Sequence, residues 1–189
     1  MYLFLNAVSK NGVLILFGKN REIIDLENIS ILLEESSKLS LLINNFLKKN
    51  NILYNEITNI VVINGPGSFT GIRSISLVVN TLSYIFENIK LTPISYFNLF
   101  ENYPIIKTSS KRDLFVKKSK NNIIEIIKNE DFVDYIKNNN IKEIYGEFSS
   151  EKLDIKINDK IDYKKLLSKV ILEEKKQIET FYVKKPSIN

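Results

Sequence analysis

Apolar positions in the first third of the chain fall into short continuous runs separated by polar turns. YLFL at 2–5 and VLILF at 13–17 are β-type runs, and the SKNG segment between them carries Asn11-Gly12, a strong hairpin signal. A third extended piece, roughly 21–25, follows the turn Gly18-Lys19-Asn20. The pattern then changes period. From Ile31 to about Leu47, apolar residues at 32, 39, 42, 43, 46 and 47 recur at helical spacing, and Ser30 followed by Glu34 and Glu35 puts acidic groups near the positive end of the helix dipole. Asn50-Asn51 ends this helix. Ile60–Ile63 is a continuous β-branched run, expected for a strand covered on both faces.

A second helix is expected from about Gly71 to Glu87, then a strand at Leu91–Ser95 that Pro93 makes an edge or irregular one, then a short helix at 96–101. The resulting order, βββαβαβα, is that of an RNase H-like, actin-like (ASKHA) α/β subdomain, a topology that by itself fixes no function. Beyond it the pattern predicts strands near 104–108, 113–117 and 123–127, a helix near 130–138, a strand at 143–145 and an amphipathic helix from about 162 to 176. This is one complete subdomain, 1–102, followed by a reduced one, 103–189. No internal repeat is evident, and the tail FYVKKPSIN is expected to dock, because Phe181, Tyr182 and Val183 are too apolar for a free end.

Two zeros in the composition narrow the chemistry. Without cysteine there is no thiolate or disulfide, and without histidine the commonest general base and transition-metal ligand are both missing. A metal would have to be a hard cation held by carboxylates, and an acid or base catalyst would have to be Asp, Glu, Lys or Tyr. The net charge of +5 permits an RNA partner, but the lysine pairs at 48, 117, 164, 175 and 184 are scattered, as on a solvated surface. The opening MYLFLNAVSK has no basic segment before its apolar run, and no apolar stretch reaches the ~18 residues of a membrane span, so a cytoplasmic protein without membrane contact is expected.

The segment VVINGPGSFTGIRS, 61–74, sets Gly65, Gly67 and Gly71 around Pro66, Ser68 and Thr70 directly after the apolar run. A strand, a glycine turn and a helix start can aim N–H groups at an anion. The spacing is one residue longer than a dinucleotide fingerprint, however, Pro66 removes a donor, and no Gly-Lys-Ser/Thr follows. A tight turn with Ser68 or Thr70 capping the next helix explains the residues equally well. On that helix Ile72, Ile75, Val78, Val79, Leu82, Ile85 and Phe86 form one apolar stripe. Leu77 and Tyr84 share a second face with Thr81, and Ser74, Ser76 and Ser83 keep the remaining surface slim. A helix apolar on two sides is either deeply buried or half of a subunit contact.

GPGSFTGIR, 65–73, resembles the signature of the TsaB (YeaZ) family, the partner subunit in bacterial threonylcarbamoyladenosine synthesis on tRNA. SSKRDLFV, 109–116, resembles that family's Asp-Ala-Arg-x-x-Glu-Val-Tyr segment with Ser109 in place of the Asp, and FYVKK, 181–185, resembles its closing Tyr-Leu-Arg. The resemblance runs end to end, with a shorter and more diverged C-terminal half. The usual first-strand Asp-Thr-Ser is replaced by Asn6-Ala7-Val8, and Asn6 cannot supply a metal-binding charge.

The resemblance implies a noncatalytic subunit that keeps the scaffold without an active centre and activates a TsaD-type catalytic subunit acting on adenosine-37 of tRNA. It implies a TsaE-type ATPase reached through the complex, tRNA engaged indirectly, homodimer formation, no resident cofactor or metal, and at most weak ATP or ADP binding at the complex interface. The interface residues it points to are Gly65, Gly67, Ser68, Thr70 and Gly71 at the loop and helix start, with Arg73, Leu77, Thr81 and Tyr84 along the helix; Arg73 would reach a partner carboxylate or lie in solvent. The competing readings are an independent glycoprotease-like peptidase and a nucleotide- or RNA-binding module.

Overall fold

The computed structural model describes residues 1–9, 12–30, 38–109, 112–148 and 155–183. They form two compact units: Met1–Ser95 with Asp162–Tyr182, and Tyr96–Ile161 with Val183. The units differ in two respects from the division expected near residue 102: residues 96–102 belong to the second unit, and residues 162–182 pack with the first.

In the first unit, strands β1 (Tyr2–Asn6), β2 (Gly12–Phe17), β3 (Ile23–Ile29), β4 (Asn59–Ile63) and β5 (Lys90–Ile94) make a sheet of order β3-β2-β1-β4-β5. The β1–β2 and β2–β3 pairs are antiparallel, while β1–β4 and β4–β5 are parallel. The β2–β3 turn closes through Arg21 N–H to the Gly18 carbonyl at 3.1 Å, with Arg21 at φ 67°. Asn11 of the β1–β2 turn lies outside the described residues. The continuous runs in β1, β2 and β4 are buried throughout apart from Tyr2, because both faces of the sheet centre are covered.

Helices α1 (Leu39–Lys49) and α2 (Phe69–Ile85) cover one face. Leu39, Ile43, Phe46 and Leu47 of α1 and Ile75, Val79 and Leu82 of α2 join Leu3, Leu5, Leu14, Leu16 and Val62 in one apolar cluster. The start of the predicted 31–47 helix, with Glu34 and Glu35, lies outside the described residues; its end extends to Lys49. On the other face, Tyr163 of the short helix α4 (Tyr163–Lys169) meets Phe4 edge to face at 5.7 Å. Pro93 sits in β5 at the edge of the sheet, as its missing N–H requires.

The helix predicted for 162–176 stops at Lys169, and residues 170–182 continue as an extended strap across the first unit. Polar clamps hold it. Asn59 Nδ2 donates to the Glu173 carbonyl at 2.8 Å, the Glu173 N–H donates to Thr92 Oγ1 at 2.8 Å, and the Leu91 N–H donates to the Lys175 carbonyl at 2.8 Å. Asn80 grips Ile178 at both ends of its amide, donating from Nδ2 to the carbonyl at 3.0 Å and accepting the N–H on Oδ1 at 2.9 Å. Ile178 itself is buried in the core cluster.

The second unit repeats the strand order of the first. Strands β6 (Ile105–Thr108), β7 (Asp113–Lys117), β8 (Glu125–Lys128), β9 (Glu143–Glu147) and β10 (Lys156–Asn158) form the sheet β8-β7-β6-β9-β10, with two antiparallel pairs followed by two parallel ones. Helix α3 (Phe132–Asn138) sits between the third and fourth strands, where α1 sits in the first unit. This unit is the reduced one: β10, which the pattern did not predict, has three residues. It is stapled to β9 by Glu143, whose carboxylate takes Lys156 at 2.8 Å and Asn158 at 2.6 Å. Below the sheet, Ile106, Val116, Phe132, Ile136 and Ile144 make a small core. Lys107 is buried against Glu147 at 2.6 Å, with the Tyr96 ring 4.8 Å from the ammonium.

Candidate protein interface

The glycine loop is built around the chain's own strap. Gly65 lies at φ +137°, a conformation that favours glycine, and a Cβ there would strike the Phe181 carbonyl oxygen. The Phe181 N–H donates to the Asn64 carbonyl at 2.9 Å, and Asn64 Nδ2 donates to the Glu179 carbonyl at 3.0 Å. Close approach also explains Gly67, whose added Cβ would stand 3.0 Å from Ile72 and 3.2 Å from Val8. Of the two capping candidates it is Ser68 that acts, accepting the Gly71 N–H on Oγ at 3.1 Å while Thr70 stands exposed in the first turn.

Helix α2 therefore starts at Phe69, two residues before the expected Gly71. Gly71 is an ordinary helical residue; its slimness matters because a Cβ would come within 2.6 Å of the capping Ser68 Oγ.

Three assignments on α2 are corrected by the packing. Ile85, expected in the core stripe, is 60% exposed at the helix end, whereas Ser76 and Ser83, expected on the outer surface, are buried. Ser83 donates to the Ile89 carbonyl at 2.9 Å, and Ser76 Oγ has no partner among the described residues. Both serines thus lie on the covered side of α2. Arg73 engages its own chain: the guanidinium lies 3.8 Å from the Phe69 ring centroid, and Nε donates to the Tyr182 hydroxyl at 3.1 Å. Tyr182 in turn lies 5.4 Å from Phe69. The aromatic end of the strap is pinned to the first turns of α2, as the apolar 181–183 segment led one to expect; residues 184–189 lie outside the described residues.

What remains outward is a stripe. Thr70, Arg73, Leu77, Thr81 and Tyr84 are all exposed, and at 100° per residue they fall within about 80° of one another. Leu77 is 68% exposed and Tyr84 87%. Beside Tyr84 an open cleft of about 810 Å³ is lined by Thr81, Glu87, Lys90, Lys176 and Gln177. Lys176 donates to the Glu87 carbonyl, and partial desolvation followed by repulsion from Lys90 holds its ammonium below the usual lysine value.

Asn6, at the end of β1, is fully buried; Nδ2 donates to Ser9 Oγ at 3.0 Å and Oδ1 has no partner among the described residues. Those residues contain no group of three or more Asp and Glu placed to hold a metal ion, and none of their helices is long and apolar enough to cross a membrane.

No protein-family model and no curated protein sequence matches the chain. Solved structures do. The structure of YeaZ from Pseudomonas aeruginosa superposes with a TM-score of 0.56 at 14% identity, covering 67% of this chain and 66% of that one. The chain has the YeaZ fold. A second structure, described as an uncharacterized protein with similarity to peptidase YeaZ from Pseudomonas aeruginosa, superposes with a TM-score of 0.53 at 14% identity, covering 67% of this chain and 65% of that one. The match spans just under two thirds of either structure's length. The α/β class expected from the element order is the one observed, with two mixed five-stranded sheets and their helices.

Proposed function

We propose that the chain is a noncatalytic activating subunit that pairs through the outer stripe of α2 with a TsaD-type catalytic subunit making threonylcarbamoyladenosine-37 in tRNA. The observation carrying this reading is the exposure of Leu77 and Tyr84 on a helix whose opposite face is fully packed, in a chain with the YeaZ fold. In this reading Gly65, Gly67, Ser68 and Gly71 hold the helix start, Thr70, Arg73, Leu77, Thr81 and Tyr84 offer the contact surface, and a second copy of the chain competes for the same stripe. A TsaE-type ATPase and the tRNA are engaged through the complex, ATP or ADP binds at most weakly at its interface, and the assembly works in the cytoplasm. The noncatalytic reading is supported by the absence of histidine and cysteine and by Asn6 in place of the first-strand carboxylate.

The test is reconstitution with the TsaD-type subunit of the same organism. Transfer is expected only from the pair; transfer, or peptidase turnover, by the isolated chain would refute the reading. Leu77→Glu with Tyr84→Glu would bury two unpaired carboxylates on association, several kcal/mol each, against ~8 kcal/mol for a micromolar complex. The double variant should lose the complex on size exclusion and keep its melting temperature, since both residues face water in the isolated subunit.

A further inference from the structure

The cleft at the end of α2 carries positive charge that the chain itself matches only in part. Among the described residues neither Lys90 nor Lys176 forms a salt bridge; Lys176 has the Glu87 carbonyl, and Lys90 lies close enough to repel it. The one carboxylate lining the cleft, Glu87, leaves it with a net positive charge. The cleft is also continuous with the exposed apolar stripe, because Thr81 and Tyr84 belong to both. A ligand that fits must bring an apolar surface to Leu77 and Tyr84 and an anionic group to the two ammonium ions.

We propose that this cleft seats an Asp or Glu carboxylate of the partner protein between Lys90 and Lys176, beside the Tyr84 ring, fixing the partner's register along α2. This rests on the reading of α2 as the interface. A carboxylate there brings the net charge of the cleft from +1 to zero, and the repulsion between the two ammonium ions in the free subunit is offset on docking. A wrong register leaves the lysines facing each other and the carboxylate unpaired, so the pair acts on orientation and encounter more than on raw affinity. A protein is favoured over a nucleic acid by the neighbouring residues. Leu77 and Ile85 are exposed aliphatic side chains, Glu87 at the cleft repels a phosphate chain, and two cations fall short of the ~6–10 phosphate contacts of a strong nucleic-acid site.

The experiment measures affinity and association rate for the purified TsaD-type subunit of the same organism at low and high NaCl. Lys90→Gln with Lys176→Gln should raise Kd about tenfold at low salt, mainly through a slower association rate, and should flatten the salt dependence. Lys90→Glu with Lys176→Glu should weaken binding further, and a carboxylate-to-lysine exchange in the partner should restore it. Lys176→Gln alone, at an exposed position, gives a smaller shift in the same direction and replaces the pair if melting shows that Lys90→Gln perturbs the fold.

Wild-type affinity and salt slope in the Gln pair, with binding abolished by Leu77→Glu, overturn the carboxylate seat and leave the α2 interface standing. Unchanged binding in both overturns the interface and the seat together. Loss of tRNA retention on a filter by the Gln pair, with partner affinity unchanged, assigns the cleft to nucleic acid and overturns the proposal.

Discussion

Asn80→Ala tests whether the strap is held by side-chain amides in place of an apolar seam. The Asn80 amide makes two hydrogen bonds to the main chain of Ile178, at 3.0 and 2.9 Å, and Ile178 is only 3% exposed. Removing the amide leaves a buried N–H and a buried C=O unpaired, at roughly 1–3 kcal/mol each. The strap can escape that penalty by lifting into water. Lifting gives up the burial of Ile178, about 1.5–3 kcal/mol, together with the bonds around Asn64. The chain takes the cheaper course, so the net loss should be about 2–4 kcal/mol, or roughly 5–15 °C in thermal midpoint for a protein of this size.

Hydrogen exchange at the Ile178 amide reports the strap directly and should lose its protection. Asn80→Asp sharpens the test. One carboxylate oxygen still accepts the Ile178 N–H, but the other faces the Ile178 carbonyl, so this variant should be destabilised at neutral pH. It should recover on acidification, as the protonated group becomes a donor. A midpoint within about 1 °C of wild type with Ile178 still protected in Asn80→Ala, or equal and pH-independent losses in both variants, would refute the clamp.

Gly65→Ala places a Cβ against the Phe181 carbonyl at a φ of +137° and should cost about 1–3 kcal/mol, read by urea unfolding; an unchanged midpoint would mean the loop does not hold this conformation. Ser68→Ala removes the α2 cap and should cost ~1 kcal/mol, with Ser68→Gly losing less, both read by melting. Hydrogen bonds from Asn50 at 2.9 Å and then from Lys49 at 3.0 Å hold the Asp25 carboxyl below its usual value. The stability this adds is present above the unfolded-state pKa and is lost as pH falls through the lower folded one, so Asp25→Asn should flatten the acid limb of a stability-against-pH curve below about pH 5. An identical acid limb in the variant would contradict that origin.

Much of the first unit was legible because its burial is local and periodic. The apolar runs at 2–5 and 13–17 read as strands and the β-branched run at 60–63 as a strand covered on both faces, and the helical spacing of α2 placed Ile72, Ile75, Val79 and Leu82 correctly. Leu77 and Tyr84 stood off that stripe in sequence and stand exposed in the structure. A wheel knows angle but not depth. Ser76 and Ser83 are buried by tertiary packing that the wheel cannot show, with Ser83 bonded to the Ile89 carbonyl, and Ile85 is exposed at the last position of the helix.

The chain alone thus determined the element order of the first subdomain, the turn at the glycine loop and the apolar character of both faces of α2, all of which follow from residue type and spacing within one turn or one strand. Only the tertiary structure decided that residues 170–182 return across the first unit, that Arg73 is spent on Phe69 and Tyr182, and that the second unit repeats the strand order of the first. The strap carries no periodic apolar signal because its contacts are main-chain hydrogen bonds to Asn59, Asn64 and Asn80, more than 90 residues away in sequence. The repeat leaves no trace in the sequence because a strand order is set by hydrogen bonding between backbones, which any β-compatible side chains will serve.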